Sequence, residues 1–380
     1  MKKYKLAELF CGPGGFAEGA KQTKLFTHVW VNDIDQAALD TFKHNHPECE
    51  TIPGNGLKIF NDEKMYKLKK KHGNIDGLIF GFPCNDFSMV GKKLGLDGNY
   101  GGLYKVACKV LKYFQPEFFV AENVTAISSK DQSSQTYKNF KKIMTDLSNC
   151  GYGIYGNKIE FEKYSVPQSR RRLILFGVRK DKFNKINYQL PLPTSSKKFV
   201  TCKEALHKLE KKKNLYNHEF TNHNEDVLKR LKKTKQGQNV WDIGGLPNVR
   251  SARMSHIYKK LDENKPAYTV TGSGGGGTHM YHYKFDRALT NRERATLQTF
   301  PIKYEFIGKK DEVRKQIGMA VPVKGAKSIM KAVAISLNNK RKITETYEWF
   351  IKPNSNDLIR NHTVSNGKHL DNFKQEKLFD

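Results

Sequence analysis

No apolar run in this 380-residue sequence approaches the roughly 20 residues that a membrane span needs, and mean hydropathy is −0.67. The opening stretch, MKKYKLAELF, is basic but lacks a long apolar segment with a cleavage site, so no signal peptide is expected. None of the six cysteines, at 11, 49, 84, 108, 150 and 202, falls in a Cys-x-x-Cys pair. Neither zinc nor a disulfide framework is suggested, and no metal is expected. Acidic residues are scarce: 38 Asp and Glu stand against 67 Lys and Arg, a formal net charge of +29. Such an excess repels itself in the folded state and favours a polyanionic partner. A compositional bias toward lysine is the competing explanation. The length suits one large domain, or one large and one smaller. The chain reads as soluble, intracellular and in contact with nucleic acid.

The first half alternates short apolar runs with helical patterns. Strands are expected at Tyr4–Phe10, His28–Asn32, Gly77–Gly81, Phe118–Ala121 and Leu173–Val178. Helices are expected at Phe16–Thr23, Gln36–Asn45 and Leu103–Phe114. This alternation argues for an α/β, doubly wound sheet, in which ligands gather beyond the carboxyl ends of the strands. From about Asp181 the pattern weakens, and Lys and Arg outnumber Asp and Glu by 20 to 9 as far as Lys284. Four consecutive glycines, Gly274 to Gly277, mark a tight loop within this smaller, basic lobe. Helical signals return at Thr290–Thr299 and Gly325–Val333. The expected division is 1–180 for a first catalytic part, 181–285 for the basic lobe and 286–337 for a return. Residues 338–380 would form a peripheral extension.

Four clusters lie at expected strand ends. Phe10-Cys11-Gly12-Pro13-Gly14-Gly15-Phe16 is a glycine turn that lets a ligand approach backbone, with Asp33 ending the next strand as a ribose acceptor. It lacks both the Gly-x-Gly-x-x-Gly spacing and the lysine of a phosphate-binding loop. Pro83 and Cys84 follow the third strand, and five glycines among residues 89–102 suit a mobile loop. Glu122-Asn123-Val124 ends an apolar strand, where a carboxylic acid could donate a proton or hydrogen bond. In Gln168-Ser169-Arg170-Arg171-Arg172, strand alternation puts Arg170 and Arg172 on one face. Each has a bland reading alone: an ordinary turn, an inert thiol, a capping acid, a solvated basic edge.

Taken in order, these blocks resemble the DNA cytosine-C5 methyltransferases. The likeness continues through Arg287-Ala288-Leu289-Thr290-Asn291-Arg292-Glu293, Leu297-Gln298-Thr299-Phe300-Pro301 and Gln316-Ile317-Gly318-Met319-Ala320-Val321-Pro322. It implies a Rossmann-like S-adenosylmethionine-dependent methyltransferase domain, with a smaller basic target-recognition lobe. It also implies transfer of a methyl group from S-adenosyl-L-methionine to C5 of a flipped-out cytosine in a short duplex DNA sequence. Cys84 would be the nucleophile at C6, Glu122 would engage N3 and the exocyclic amine, Arg170 would hold O2, and Arg172 would support Glu122. Phe10 would pack on adenine, and Gly12, Gly14 and Gly15 would line the methionine end. Asp33 would take the ribose, and Pro83, Leu103 and Val321 would line the pocket. Ile34 stands where a larger apolar residue often stacks, Asn55 where an acid is common, and Met319 where asparagine is usual.

Contacts with double-stranded DNA are expected from Ser88, Val90, Arg250, Arg253, Thr271, Gly274 and His279. The implied setting is the cytoplasm of a prokaryote, nucleoid-associated or phage-encoded, with the protein a monomer. A cognate restriction endonuclease acting separately stays open. A tRNA cytosine-C5 methyltransferase and a non-catalytic DNA-binding relative are the alternatives.

Overall fold

The computed structural model describes residues 3–82, 102–129, 131–186, 188, 191, 193–194, 198–239, 242, 259–272, 280–338 and 347–361. The strands are β1 (Tyr4–Leu9), β2 (Phe26–Asp33), β3 (Glu50–Pro53), β4 (Gly77–Phe80), β5 (Phe118–Val124), β6 (Tyr152–Glu160), β7 (Gln168–Ser169), β8 (Arg171–Arg179), β9 (Ala267–Tyr268), β10 (Trp349–Ile351) and β11 (Ile359–Arg360). Nine of them form one sheet, ordered β11-β10-β6-β8-β5-β4-β1-β2-β3. The side from β5 to β3 is parallel; β8, β6, β10 and β11 continue it antiparallel.

Strand alternation sorts the core into two layers. Ala7, Leu78 and Phe119 face a cluster with Trp30, Phe60, Val110, Leu147 and Trp349. Their neighbours Leu6, Ile79 and Phe118 face another with Phe16, Phe176, Ile329 and Met330. The helices Asp62–His72, Tyr104–Phe114 and Gln135–Ser148 supply the first layer. Gly15–Lys21 and Val323–Asn338 supply the second. Helices on both faces of a central, mainly parallel sheet are the expected doubly wound arrangement.

Several expectations need correction. Glu122 lies within β5, not past its end, because the strand runs on to Val124 opposite Arg172. The 152–160 strand and the Lys310–Met319 helix carried no expectation. Residues beyond 338 are not wholly peripheral. Trp349 is fully buried, and β10 pairs with β6, so a three-residue apolar run in a polar stretch completes the core.

The segment expected as the basic lobe contains the helices Cys202–Glu210 and Glu225–Lys233. Thr201 and Glu204 close a reciprocal capping box at the start of the first. Leu206 and Leu209 share a cluster with Ala267, Val270, Leu297, Ile317 and Val323. Packing is therefore continuous across residue 285. The two-strand pair β7–β9 joins the arginine block to the lobe.

Candidate active site

The glycine turn follows β1. Phe10 (φ 57°), Gly12 (φ 53°) and Gly14 (φ 92°) are left-handed, so the chain reverses within five residues before the helix starting at Gly15. The Gly12 amide donates to Asp33 Oδ2 at 2.8 Å, and the Asp35 amide donates to Asp33 Oδ1 at 2.9 Å. Burial raises the Asp33 carboxyl above its ordinary range, against the pull of these backbone donors. A Cβ on Gly12 would meet open space, whereas one on Gly15 would lie 2.3 Å from the Val321 carbonyl. The Tyr304 hydroxyl donates to the Pro13 carbonyl and braces the turn from below.

The neighbouring positions are largely apolar. Ile34 is 70% exposed although it follows a buried strand. Phe10 packs partly against the core, and Leu103 is buried at the head of the Tyr104–Phe114 helix. Asn55 caps the helix Gly56–Ile59, its Oδ1 accepting from the Leu57 amide at 3.0 Å. Met319 exposes most of its side chain and brings no polar group to the site. Open space at Gly12, a half-buried carboxylate and an exposed isoleucine together fit an adenosine-bearing cofactor.

Across the strand ends, Arg172 Nε lies 2.8 Å from Glu122 Oε1, with both side chains about one-sixth exposed. Glu122 Oε2 would sit 3.4 Å from a Cβ on Gly81. Asn123 Nδ2 donates to the Phe82 carbonyl at 3.1 Å, immediately before Pro83 and Cys84. Pro83, Cys84, Ser88 and Val90 lie outside the described residues, as do Arg250, Arg253, Gly274 and His279.

Arg170 takes a different place from Arg172. It is buried, and its Nη1 donates to the carbonyls of Val270 (3.1 Å) and Gly318 (3.2 Å). These contacts join the segment at Val270 to the Lys310–Met319 helix. Thr271 follows directly, and a Cβ on Gly318 would lie 2.1 Å from its carbonyl carbon. Two buried glutamines complete this junction. Gln168 accepts from the Val270 amide at 2.8 Å and donates to Gln298 Oε1 at 3.0 Å. Gln298 in turn donates to the carbonyls of Ile317 (2.7 Å) and Ala320 (3.1 Å). Sequence reasoning gave no role to Gln298 or to the Asn123 amide. The available signal was a single amide inside each mainly apolar block.

Residues 4–334 match the model of the C-5 cytosine-specific DNA methylase family. The chain belongs to that family. Among similar methylases is the type II methyltransferase M.BbvI of Brevibacillus brevis, 45% identical over 352 residues, covering 87% of this chain and 91% of the relative. Another is the type II methyltransferase M.NgoFVII of Neisseria gonorrhoeae, 34% identical over 339 residues, covering 87% and 86%. In three dimensions this methylase resembles a chain described as a DNA modification methyltransferase encoded within an Escherichia coli prophage. The TM-score is 0.71 at 24% identity, over 89% of this chain and all of that one. It also resembles S. pombe Dnmt2, with TM-score 0.58 at 15% identity over 89% and all of that chain. These two likenesses concern the fold. Among the described residues of the methylase, no helix is long and apolar enough to cross a membrane.

Proposed function

We propose that this methylase transfers a methyl group from S-adenosyl-L-methionine to C5 of a cytosine flipped out of a short duplex DNA sequence. Its setting would be a type II modification system in a prokaryotic cytoplasm. The observation that supports this best is the 2.8 Å Glu122–Arg172 pair, set beside Asn123, which holds the root of the Pro83-Cys84 segment. Cytosine C5 is a poor nucleophile, and a covalent bond at C6 makes it enamine-like. The Cys84 thiolate would form that bond while Glu122 engages N3 and the exocyclic amine. Arg172 supplies Glu122 with a counter-charge and fixes its direction. After transfer the C5 proton leaves to solvent, the C5–C6 double bond re-forms and Cys84 departs as thiolate. Arg170, whose Nη1 donates to the carbonyls of Val270 and Gly318, would hold these two segments together beside the base.

The cofactor supplies an electrophilic methyl group on a sulfonium. Asp33 would accept its ribose hydroxyls, Ile34 and Phe10 would hold the adenine, and Gly12, Gly14 and Gly15 would admit its aminoacyl end. Val321 and Leu103 would bound the pocket, with Asn55 toward the adenine amine; Pro83, assigned there by the resemblance, lies outside the described residues. Thr271 and the basic lobe engage DNA, offsetting the few kcal/mol that base extrusion costs.

Incubation with tritiated S-adenosylmethionine tests the reading. Label is expected in duplex DNA; label in tRNA alone, or in neither, rejects it. A duplex carrying 5-fluorocytosine at the target should trap a covalent adduct, because fluorine cannot leave as a cation. Normal turnover without that adduct would reject attack by Cys84.

A further inference from the structure

The helix Lys310–Met319 touches two parts of the proposed site. At its cofactor side, Lys315 Nζ donates to Asp35 Oδ2 at 2.7 Å. Asp35 follows the exposed Ile34, and its other oxygen caps the helix Gln36–Asn45 at the Ala38 amide, 3.3 Å away. At its lobe side, the Lys315 carbonyl lies 2.7 Å from where a Cβ on Gly272 would stand. One turn on, Gly318 packs against Thr271 and Gly272 so closely that a Cβ would lie 2.0 Å from the Gly272 nitrogen. Between the two sides, Gln316 accepts from the Thr41 hydroxyl at 2.7 Å and keeps this helix against Gln36–Asn45. One short rigid element thus carries the adenosine edge on its side chain and the start of the DNA-reading loop on its backbone.

We propose that Lys315 is a positioning residue that couples cofactor binding to DNA binding, through its ammonium on Asp35 and its carbonyl against Gly272. The inference rests on the function proposed above. A ligand seated against Ile34 restrains Asp35, and through Lys315 it restrains the 310–319 helix. The glycine contacts have no slack, so the freedom of Thr271 and Gly272 falls with it. DNA then meets Thr271 and Gly272 already held in place, and the cost of restraining them is not met twice. The Asp35–Lys315 pair is partly exposed, with Lys315 at 53%. Exposed pairs contribute little to folding, so its loss separates positioning from stability.

The test measures binding, not turnover. Affinity for a fluorescent duplex, carrying the site found by bisulfite sequencing, is determined with and without saturating S-adenosylhomocysteine. The parent should bind duplex at least about fivefold more tightly with the cofactor product present, within the usual range of coupling. Lys315→Met should reduce that factor to below about twofold while leaving cofactor-free duplex affinity within about twofold. Lys315→Arg should restore it. Reciprocity demands that duplex tighten S-adenosylhomocysteine binding by the same factor, and that this too vanish in Lys315→Met. Gly272→Ala attacks the link from the lobe side and should give the same loss with the ion pair intact. Equal coupling in parent and Lys315→Met, with melting temperatures matched, overturns the proposal, as does a parent with no coupling. Binding of neither duplex nor S-adenosylhomocysteine by the parent would instead defeat the functional reading, and this inference with it.

Discussion

Asn123 uses both ends of one amide. Its Oδ1 accepts from the Val124 amide at 2.8 Å, and its Nδ2 holds the Phe82 carbonyl at 3.1 Å. Asn123→Ala should leave that carbonyl without its donor and loosen the chain that leads to Cys84. We expect kcat to fall at least about tenfold, the equivalent of about 1.4 kcal/mol, with S-adenosylhomocysteine affinity nearly unchanged. Single-turnover rates set beside a binding titration check this, and an equal loss in both would place the effect in the cofactor pocket. Asn55 offers a gain instead. Aspartate caps a helix as well as asparagine, so Asn55→Asp keeps the Leu57 bond and adds charge toward the adenine amine. A hydrogen bond to a charged group is worth about 1 kcal/mol more than a neutral one. The KM for S-adenosylmethionine should drop about threefold to fivefold, read from initial rates. Asp33, Glu122 and Arg172 stood out as candidates in the sequence because charged residues bordering apolar strand runs are conspicuous, Asp33 and Glu122 after such a run and Arg172 before one. The place of Arg170 was not legible, since its carbonyl partners lie 100 and 148 residues away. Alternation alone cannot say what a buried guanidinium meets.

At the scale of elements, the helices Gly15–Lys21 and Val323–Asn338 approach through glycine. A Cβ on Gly19 would lie 2.6 Å from the Ala326 Cβ and 2.7 Å from the Val323 carbonyl. Gly19→Ala must push the helices apart, which should destabilise the protein by about 1–3 kcal/mol. Val321 rides on the same contact, so cofactor affinity should fall as well; thermal melts and an S-adenosylhomocysteine titration measure the two losses. The helix Gln36–Asn45 had the expected bounds because Asp35 caps it and its apolar positions recur at helical spacing. The Lys310–Met319 helix escaped notice because Lys and Asp fill its first turn and only Val313 and Ile317 mark a stripe. Strand direction was not legible either: β8 reads as one more apolar run, yet it lies antiparallel to β5. The shortest strand of consequence, β10, rests on Trp349. Trp349→Ala should cost about 3–5 kcal/mol, measured as the shift in denaturant midpoint at unchanged slope.

The whole molecule combines a net charge of +29 with histidines held uncharged inside it. Burial pushes His46 down to about 3, aided by His28 and Lys21. His46 packs against Phe42, ring centroids 4.8 Å apart and tilted by 43°, and lies 3.4 Å from the Tyr304 hydroxyl that braces the glycine turn. Burial likewise pushes His282 down to about 4, against the attraction of Glu293 at 3.7 Å. In the unfolded chain both titrate near pH 6.5. Between about pH 6.5 and 4 the unfolded chain therefore takes up protons that the folded one refuses, and stability falls as pH falls. The contribution is fully present above pH 6.5 and is lost through this window. Glu8, Asp33 and Glu162, raised by burial, act in the opposite sense and partly mask it. The difference between parent and His46→Phe removes that masking, because the carboxylates are common to both and a phenyl ring keeps the ring contact with Phe42. Across pH 4–6 the parent's unfolding free energy should lose up to about 1.4 kcal/mol more per pH unit than the variant's. Urea titrations at several pH values give both slopes. Parallel slopes would mean that His46 picks up its proton in the folded state, and that the packing beneath the glycine turn admits charge.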